Sequence, residues 1–124
     1  MGVDRTIRFP AAEPPAWDAI RDQLRRVGED GSLRMIDGMP AFPNETPEPG
    51  WRELRVGTAA GMVTIRRGPG ALSCVVWGNA DDALRAAWDR VSWACAAAGQ
   101  GAVETPSGSL SAADFAASAG LSPA

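Results

Sequence analysis

Between Trp51 and Trp77 the chain alternates apolar and polar residues in three runs, "WRELRVGT", "MVTIRR" and "ALSCVVW", separated only by "AAG" and "GPG". Successive side chains on a strand point to opposite faces, so a period of two across three runs with turn-sized gaps predicts an antiparallel meander. One set of alternating positions, Leu54, Val56, Val63, Ile65, Leu72, Cys74 and Val76, is uniformly apolar and is expected to face a core. The complementary set, Trp51, Glu53, Arg55, Met62, Thr64, Arg66, Ser73, Val75 and Trp77, mixes indole and guanidinium groups with small polar residues. That second face is expected to be either wet or occupied by a partner.

The rest of the chain supplies what covers the first face. "RTIRF" reads as a short strand ended by Pro10, and "SLRMID" as a second strand. Between them, "EPPAWDAIRDQLRRVGEDG" predicts a helix with its two prolines in the first turn and Gly28 at the left-handed stop. Trp17, Ile20, Leu24 and Val27 share one stripe of it, with Asp18, Arg21, Asp22 and Arg25 opposite. The longest helix is expected in "WGNADDALRAAWDRVSWACAAAGQG", capped by Asn79, with Asp81 and Asp82 in its first turn and Gly99 at its close. Its main stripe runs through Leu84, Ala87, Trp88, Val91, Ala94, Cys95 and Ala98, whereas Trp93 points the other way, near Ala86, Arg90 and Ala97. A brief strand around Val103 and a weak last helix opened by Ser111 complete the reading.

The order β-α-β-β-β-β-α with a short C-terminal tail predicts an α+β fold, a two-layer sandwich of an antiparallel sheet with helices on one face. TBP-like and helix-grip architectures share that order of elements. A chain of 124 residues is the size of one domain. We expect a single domain over residues 1–105 and a C-terminal segment, 106–124, that is either a docked weak helix or partly disordered.

One stretch resists the sheet. "MIDGMPAFPNETPEPGW" sets Pro40, Pro43, Pro47 and Pro49 between two strand-like runs, and proline cannot donate to a ladder. The prolines also stiffen an otherwise long connection, so residues 39–50 are expected to form a semi-rigid flap anchored by Met39 and Phe42. Such a flap either shields a sheet edge or walls a pocket lined by Phe42 and Trp51.

Composition restricts the chemistry. The chain has no His, no Tyr and no Lys, and all twelve of its basic residues are Arg. Ser-His and Cys-His nucleophile pairs, imidazole-ligated metals, Schiff bases and lysine-dependent phosphate loops are therefore excluded. Cys74 and Cys95 fall on a strand and a helix and read as buried thiols. Neither a catalytic motif nor a metal-ligand or cofactor-binding pattern stands out. The Arg, Ala and Gly bias is that of a GC-rich genome, which points to a bacterial origin.

The net charge of −3 gives no electrostatic reason to approach a phosphate backbone, so nucleic acid is disfavoured. No run is long and apolar enough for a membrane span, and no signal-like start is visible, which places the chain in the cytoplasm. "MGVDRT" fits the glycine-second myristoylation pattern only formally, because a strand follows at once.

The candidate binding residues are Trp51, Arg55, Arg66 and Trp77 on the meander's second face, Phe42 on the flap and Trp93 on the long helix. Trp and Arg combine contact area with hydrogen-bonding capacity and are enriched at interface hot spots. The plain alternative for the sheet face is a solvated surface on which Glu53 pairs with Arg55 or Arg66. For Trp93 it is internal cover by the C-terminal segment through Leu110 and Phe115. The leading expectation is a non-enzymatic domain that acts by binding, as a homodimer or as an adaptor for another protein. The second is a small-molecule binder or carboxylate-dependent enzyme with its pocket under residues 40–50, using Asp37 or Glu53 as base or hard-cation ligand.

Overall fold

A computed structural model describes residues 2–124. The strands are β1 (Gly2–Arg8), β2 (Ser32–Ile36), β3 (Met39–Pro40), β4 (Glu53–Thr58), β5 (Gly61–Gly68), β6 (Ala71–Trp77), β7 (Ala102–Thr105) and β8 (Gly108–Ser111). They form one antiparallel sheet in the order β3-β2-β4-β5-β6-β1-β7-β8. Three helices, α1 (Trp17–Arg26), α2 (Asp82–Gly99) and α3 (Ala112–Ala119), complete the α+β sandwich.

The meander forms as its alternation requires. Leu54, Val56, Val63, Ile65, Leu72, Cys74 and Val76 are all buried, and they join Trp17, Ile20 and Leu24 of α1 and Trp88, Val91 and Cys95 of α2 in one core. Strand β1 pairs with β6 along its whole length, with Ile7 opposite Leu72 on the core side. Because β1 also pairs with β7, the sheet continues into a β7–β8 hairpin, whose turn lies at residues 106–107, where we expected the domain to give way to its tail.

That hairpin leads into α3, where the Ser111 hydroxyl accepts from the Asp114 N–H as the N-cap and Gly120 closes the helix in the left-handed region. Helix α3 lies against α2, so α2 is buried on two sides. Its N-cap is Asp81, whose side chain accepts from the Leu84 N–H, and not Asn79. Helix α1 begins at Trp17, after both prolines, with no side-chain cap at Ala16.

The proline-rich segment opens with a two-residue pairing. Asp37 and Gly38 have φ of 50° and 83°, the left-handed pair that joins strands in a tight primed turn. Met35 and Ile36 of β2 consequently pair with Pro40 and Met39 of β3. Pro40 sits on the outermost strand, where its missing N–H breaks no ladder. Farther along, the Leu33 N–H donates to the Pro43 carbonyl, so the segment runs beside the β2 edge and covers it.

Candidate functional site

Two surfaces bring chemistry-bearing side chains together, one on each side of the sheet. On the open side, Arg55, Met62, Thr64, Arg66, Val75 and Trp77 border a depression of about 210 Å3. Three of the six candidate residues, Arg55, Arg66 and Trp77, meet here. Trp77 is 67% exposed and Met62 47%. Glu53 lies between the guanidinium groups, with oxygens 3.6 Å from Arg55 and 3.7 Å from Arg66. Those distances exceed hydrogen-bonding range, so the single carboxylate offsets part of the charge of the two cations and both keep free donors.

The same face carries residues that the alternation of the meander alone does not reveal. Arg34 follows the buried Leu33 and lies on this face, where its Nε would lie 2.6 Å from any Cβ placed on Gly57, and a β-bulge between Leu33 and Met35 sets Met35 on the same face beside Arg55. Glycine at 57 therefore gives Arg34 its bed. Across β6, Asp4 of β1 stands opposite Val75, and Arg8 pairs with Glu104 of β7. The alternating run in the sequence starts at Arg5 and leaves Asp4 out, whereas the strand itself begins at Gly2.

Trp51 is not on this face. Alternation assigns it there, but strand β4 starts only at Glu53, and a turn closed by the Trp51 N–H donating to the Glu48 carbonyl redirects the chain. Asp37 fixes that redirection, its Oδ1 accepting from the backbone N–H groups of Arg52 at 2.7 Å and Glu53 at 2.9 Å. These two bonds to the ionised form hold the Asp37 carboxyl below its usual range. A carboxylate so engaged is a poor proton acceptor, and Asp37 acts as a clamp on the flap.

Trp51 instead turns to the helix side, 2% exposed, with the Arg67 guanidinium 4.4 Å above its ring. The tandem "RR" at 66–67 places consecutive arginines on opposite faces, a signal in the sequence that one of them must lie on the core side. Trp17, Trp51 and Arg67 border a cavity of about 520 Å3 whose other wall is Pro47 and Pro49 of the flap. The Trp17 Nε1 and Arg67 Nε are both buried without an acceptor among the described residues. A buried donor left unpaired costs about 1–3 kcal/mol. Phe42 is 75% exposed on the flap and does not line this cavity.

Trp93 is likewise buried. It shares a shallow recess with Ala112, Ala116 and Leu121, and Arg26 lies 5.6 Å from its ring. The C-terminal segment thus supplies its cover, through these residues rather than Leu110 and Phe115. Phe115 lies on the other side, near Arg5, which is stacked 3.7 Å over Trp88 and donates to Asp89 at 2.9 Å. Cys74 and Cys95 are buried free thiols whose sulfurs share a hydrogen bond at 3.8 Å. The Cys74 thiol and burial push the Cys95 thiol well up, away from the thiolate a nucleophile requires.

Among the described residues no three acidic or thiol groups gather as a metal site, and no helix is long and apolar enough to cross a membrane. The fold and its open face define the class: a two-layer α+β sandwich with one sheet surface free of helices. No family model, curated protein or solved structure matches the chain.

Proposed function

We propose that the chain acts by binding, and that it uses its open sheet face to pair with a second copy of itself. The supporting observation is a row across four strands: Arg55 stands beside Thr64, Thr64 beside Val75, and Val75 beside Asp4. A two-fold axis running along the strands between β5 and β6 sets Arg55 of one copy opposite Asp4 of the other, twice. One turn of the pleat farther on, it brings the exposed Met62 against the exposed Trp77. A two-fold contact requires a patch that complements itself, and this arrangement of opposite charges around an apolar centre does so. The free thiols suit a reducing compartment, which supports a cytoplasmic setting.

Sedimentation equilibrium tests the pairing. The wild type is expected to be dimeric, Asp4→Arg and Arg55→Asp each monomeric, and the double variant carrying both changes dimeric again. Restoration reports the Arg55–Asp4 contact, because one single change makes the chain less negative and the other more negative, so net charge alone cannot account for both losses. A wild type that stays monomeric at all concentrations removes self-association, and the face then belongs to a different protein partner or to solvent.

A further inference from the structure

We propose that the depression on the open sheet face binds a small carboxylate that carries one aromatic ring. Two guanidinium groups border the depression, those of Arg55 and Arg66, and no acidic residue lines it. Their side chains are 44% and 59% exposed, and in both the nitrogen that approaches Glu53 is Nε. The terminal nitrogens lie farther from that acid and are open to a ligand. Thr64 stands beside Arg55 across the ladder and two residues before Arg66 on β5, so the hydroxyl and both guanidinium groups surround one spot. A planar carboxylate matches the fork of a guanidinium with two parallel bonds.

The wider charge of the face sets the direction of the ligand. Arg34, Arg55 and Arg66 stand on β2, β4 and β5 with Glu53 among them, whereas Asp4 is two strands from Thr64, about 10 Å away. The carboxylate end therefore belongs at β4 and β5. One two-residue step along the strands from Thr64, about 7 Å, Met62 and Trp77 form an exposed apolar end beside Val75. An indole and a thioether both favour an aromatic ring as neighbour.

Size narrows the class further. The volume of about 210 Å3 lies below the roughly 300–1,000 Å3 usual for small-molecule sites, so one ring fits where a nucleotide does not. An inorganic anion would use the arginines and leave the apolar end wet. A neutral aromatic would cover the apolar end and leave the two cations unmatched. A ligand here takes Arg55 from Asp4 of a second copy and covers Trp77 and Met62, so ligand and second copy exclude each other. That exclusion rests on the pairing proposed above, whereas the site itself is complete in one chain.

The test is an NMR titration of the 15N-labelled full chain, reading the Trp77 indole N–H, which Trp77→Phe assigns. The probes are phenylacetate and phenylpropanoate, with phenylacetamide, benzyl alcohol and inorganic phosphate as controls, all at one ionic strength. A saturable shift of the Trp77 indole with at least one acid is expected, and each control should bind at least about tenfold more weakly. Arg66→Gln, an exposed change, should weaken the acid by a similar factor. Glu53→Gln, which removes the nearest competing carboxylate, should tighten it about two- to fivefold. Sedimentation equilibrium of the wild type should show the dimer dissociating as the acid is added. A dimer that persists at saturating acid overturns the proposal, because the ligand then lies elsewhere. A wild type that is monomeric without acid ends the pairing alone, and the indole shift still decides the site. Absence of a saturable shift up to about 10 mM of either acid overturns the proposal. Phosphate or the amide binding as tightly as the acid, or Arg66→Gln binding it as the wild type does, overturns it too.

Discussion

Two groups of arginine and tryptophan lie at opposite faces of one sheet, and they have opposite fates. On the helix side Arg67 stacks on a Trp51 that is 2% exposed, while on the open side Arg55 and Arg66 stand beside a Trp77 that is 67% exposed. The side chains are of the same types and come from the same meander. What differs is position relative to the strand ends. Trp77 is the last residue of β6 and keeps the strand's alternation, whereas Trp51 precedes β4 and follows a turn. Residue type gives the capacity for contact, and backbone geometry decides whether that capacity is used within the chain or outside it.

The largest test of this contrast is to remove each indole. Trp51→Ala opens a cavity beneath Arg67 and the flap and should cost about 3–5 kcal/mol in denaturant unfolding. Trp77→Ala removes a mostly solvated ring and should change monomer stability by less than about 1 kcal/mol. Equal losses would make Trp77 a core residue and abolish the distinction between the faces. Next in size is Arg5→Met, since Arg5 sits on the helix side with Nη1 bonded to Asp89 and to Ser92 at 3.2 Å. Loss of those donors should cost about 2 kcal/mol, compared with almost none for Arg66→Met on the open face. A double-mutant cycle with Asp89→Asn separates the ion pair from the packing of Arg5 on Trp88.

A smaller effect links the flap to pH. The Asp37 carboxyl titrates below its ordinary value in the folded chain, owing first to the Glu53 N–H and then to the Arg52 N–H. Its contribution is therefore fully present above the unfolded value of about 3.9 and is lost as pH falls through the lower folded value. Asp37→Asn should destabilise the chain at neutral pH, and the difference from wild type should close as both are taken below about pH 4. A gap that remains constant through that range would assign the effect to shape rather than charge. Amide exchange at Arg52 and Glu53 locates the change at the turn that sends Trp51 to the helix side.

Most of the sandwich was legible in the sequence because period is a local property. The seven apolar meander positions and the α1 stripe of Trp17, Ile20 and Leu24 all reached the core. The last strands and helix were harder to read, since their Ala, Ser and Gly content carries little propensity, and docking against α2 supplies the rest. That docking also explains Trp93. A second apolar face on α2 was visible, but its partner came from twenty residues farther along the chain. At the site, Arg55, Arg66 and Trp77 followed from alternation. Asp4 lies outside the alternating run that begins at Arg5, whereas Arg34 and Arg67 keep the alternation of their own strands, Arg34 next to the buried Leu33 and Arg67 two residues past the buried Ile65.

The smallest effect is the most discriminating for the open face. Glu53 lies 3.6 and 3.7 Å from Arg55 and Arg66 and offsets part of their charge, at distances where exposed charges contribute little. Glu53→Gln should therefore change monomer stability by less than about 0.5 kcal/mol in denaturant unfolding. In the proposed pair the same substitution frees Arg55 for Asp4 of the second copy while adding a positive charge to each face. These terms oppose each other, and they differ in range. The added repulsion is spread over the surface and is screened by salt, whereas the close Arg55–Asp4 contact is screened less. Dimerisation of Glu53→Gln should accordingly gain on the wild type as salt is raised from low to physiological strength. Parallel salt profiles for the two proteins would place Arg55 outside the contact, and the open face would lose its charge logic while Trp77 and Met62 kept their apolar one.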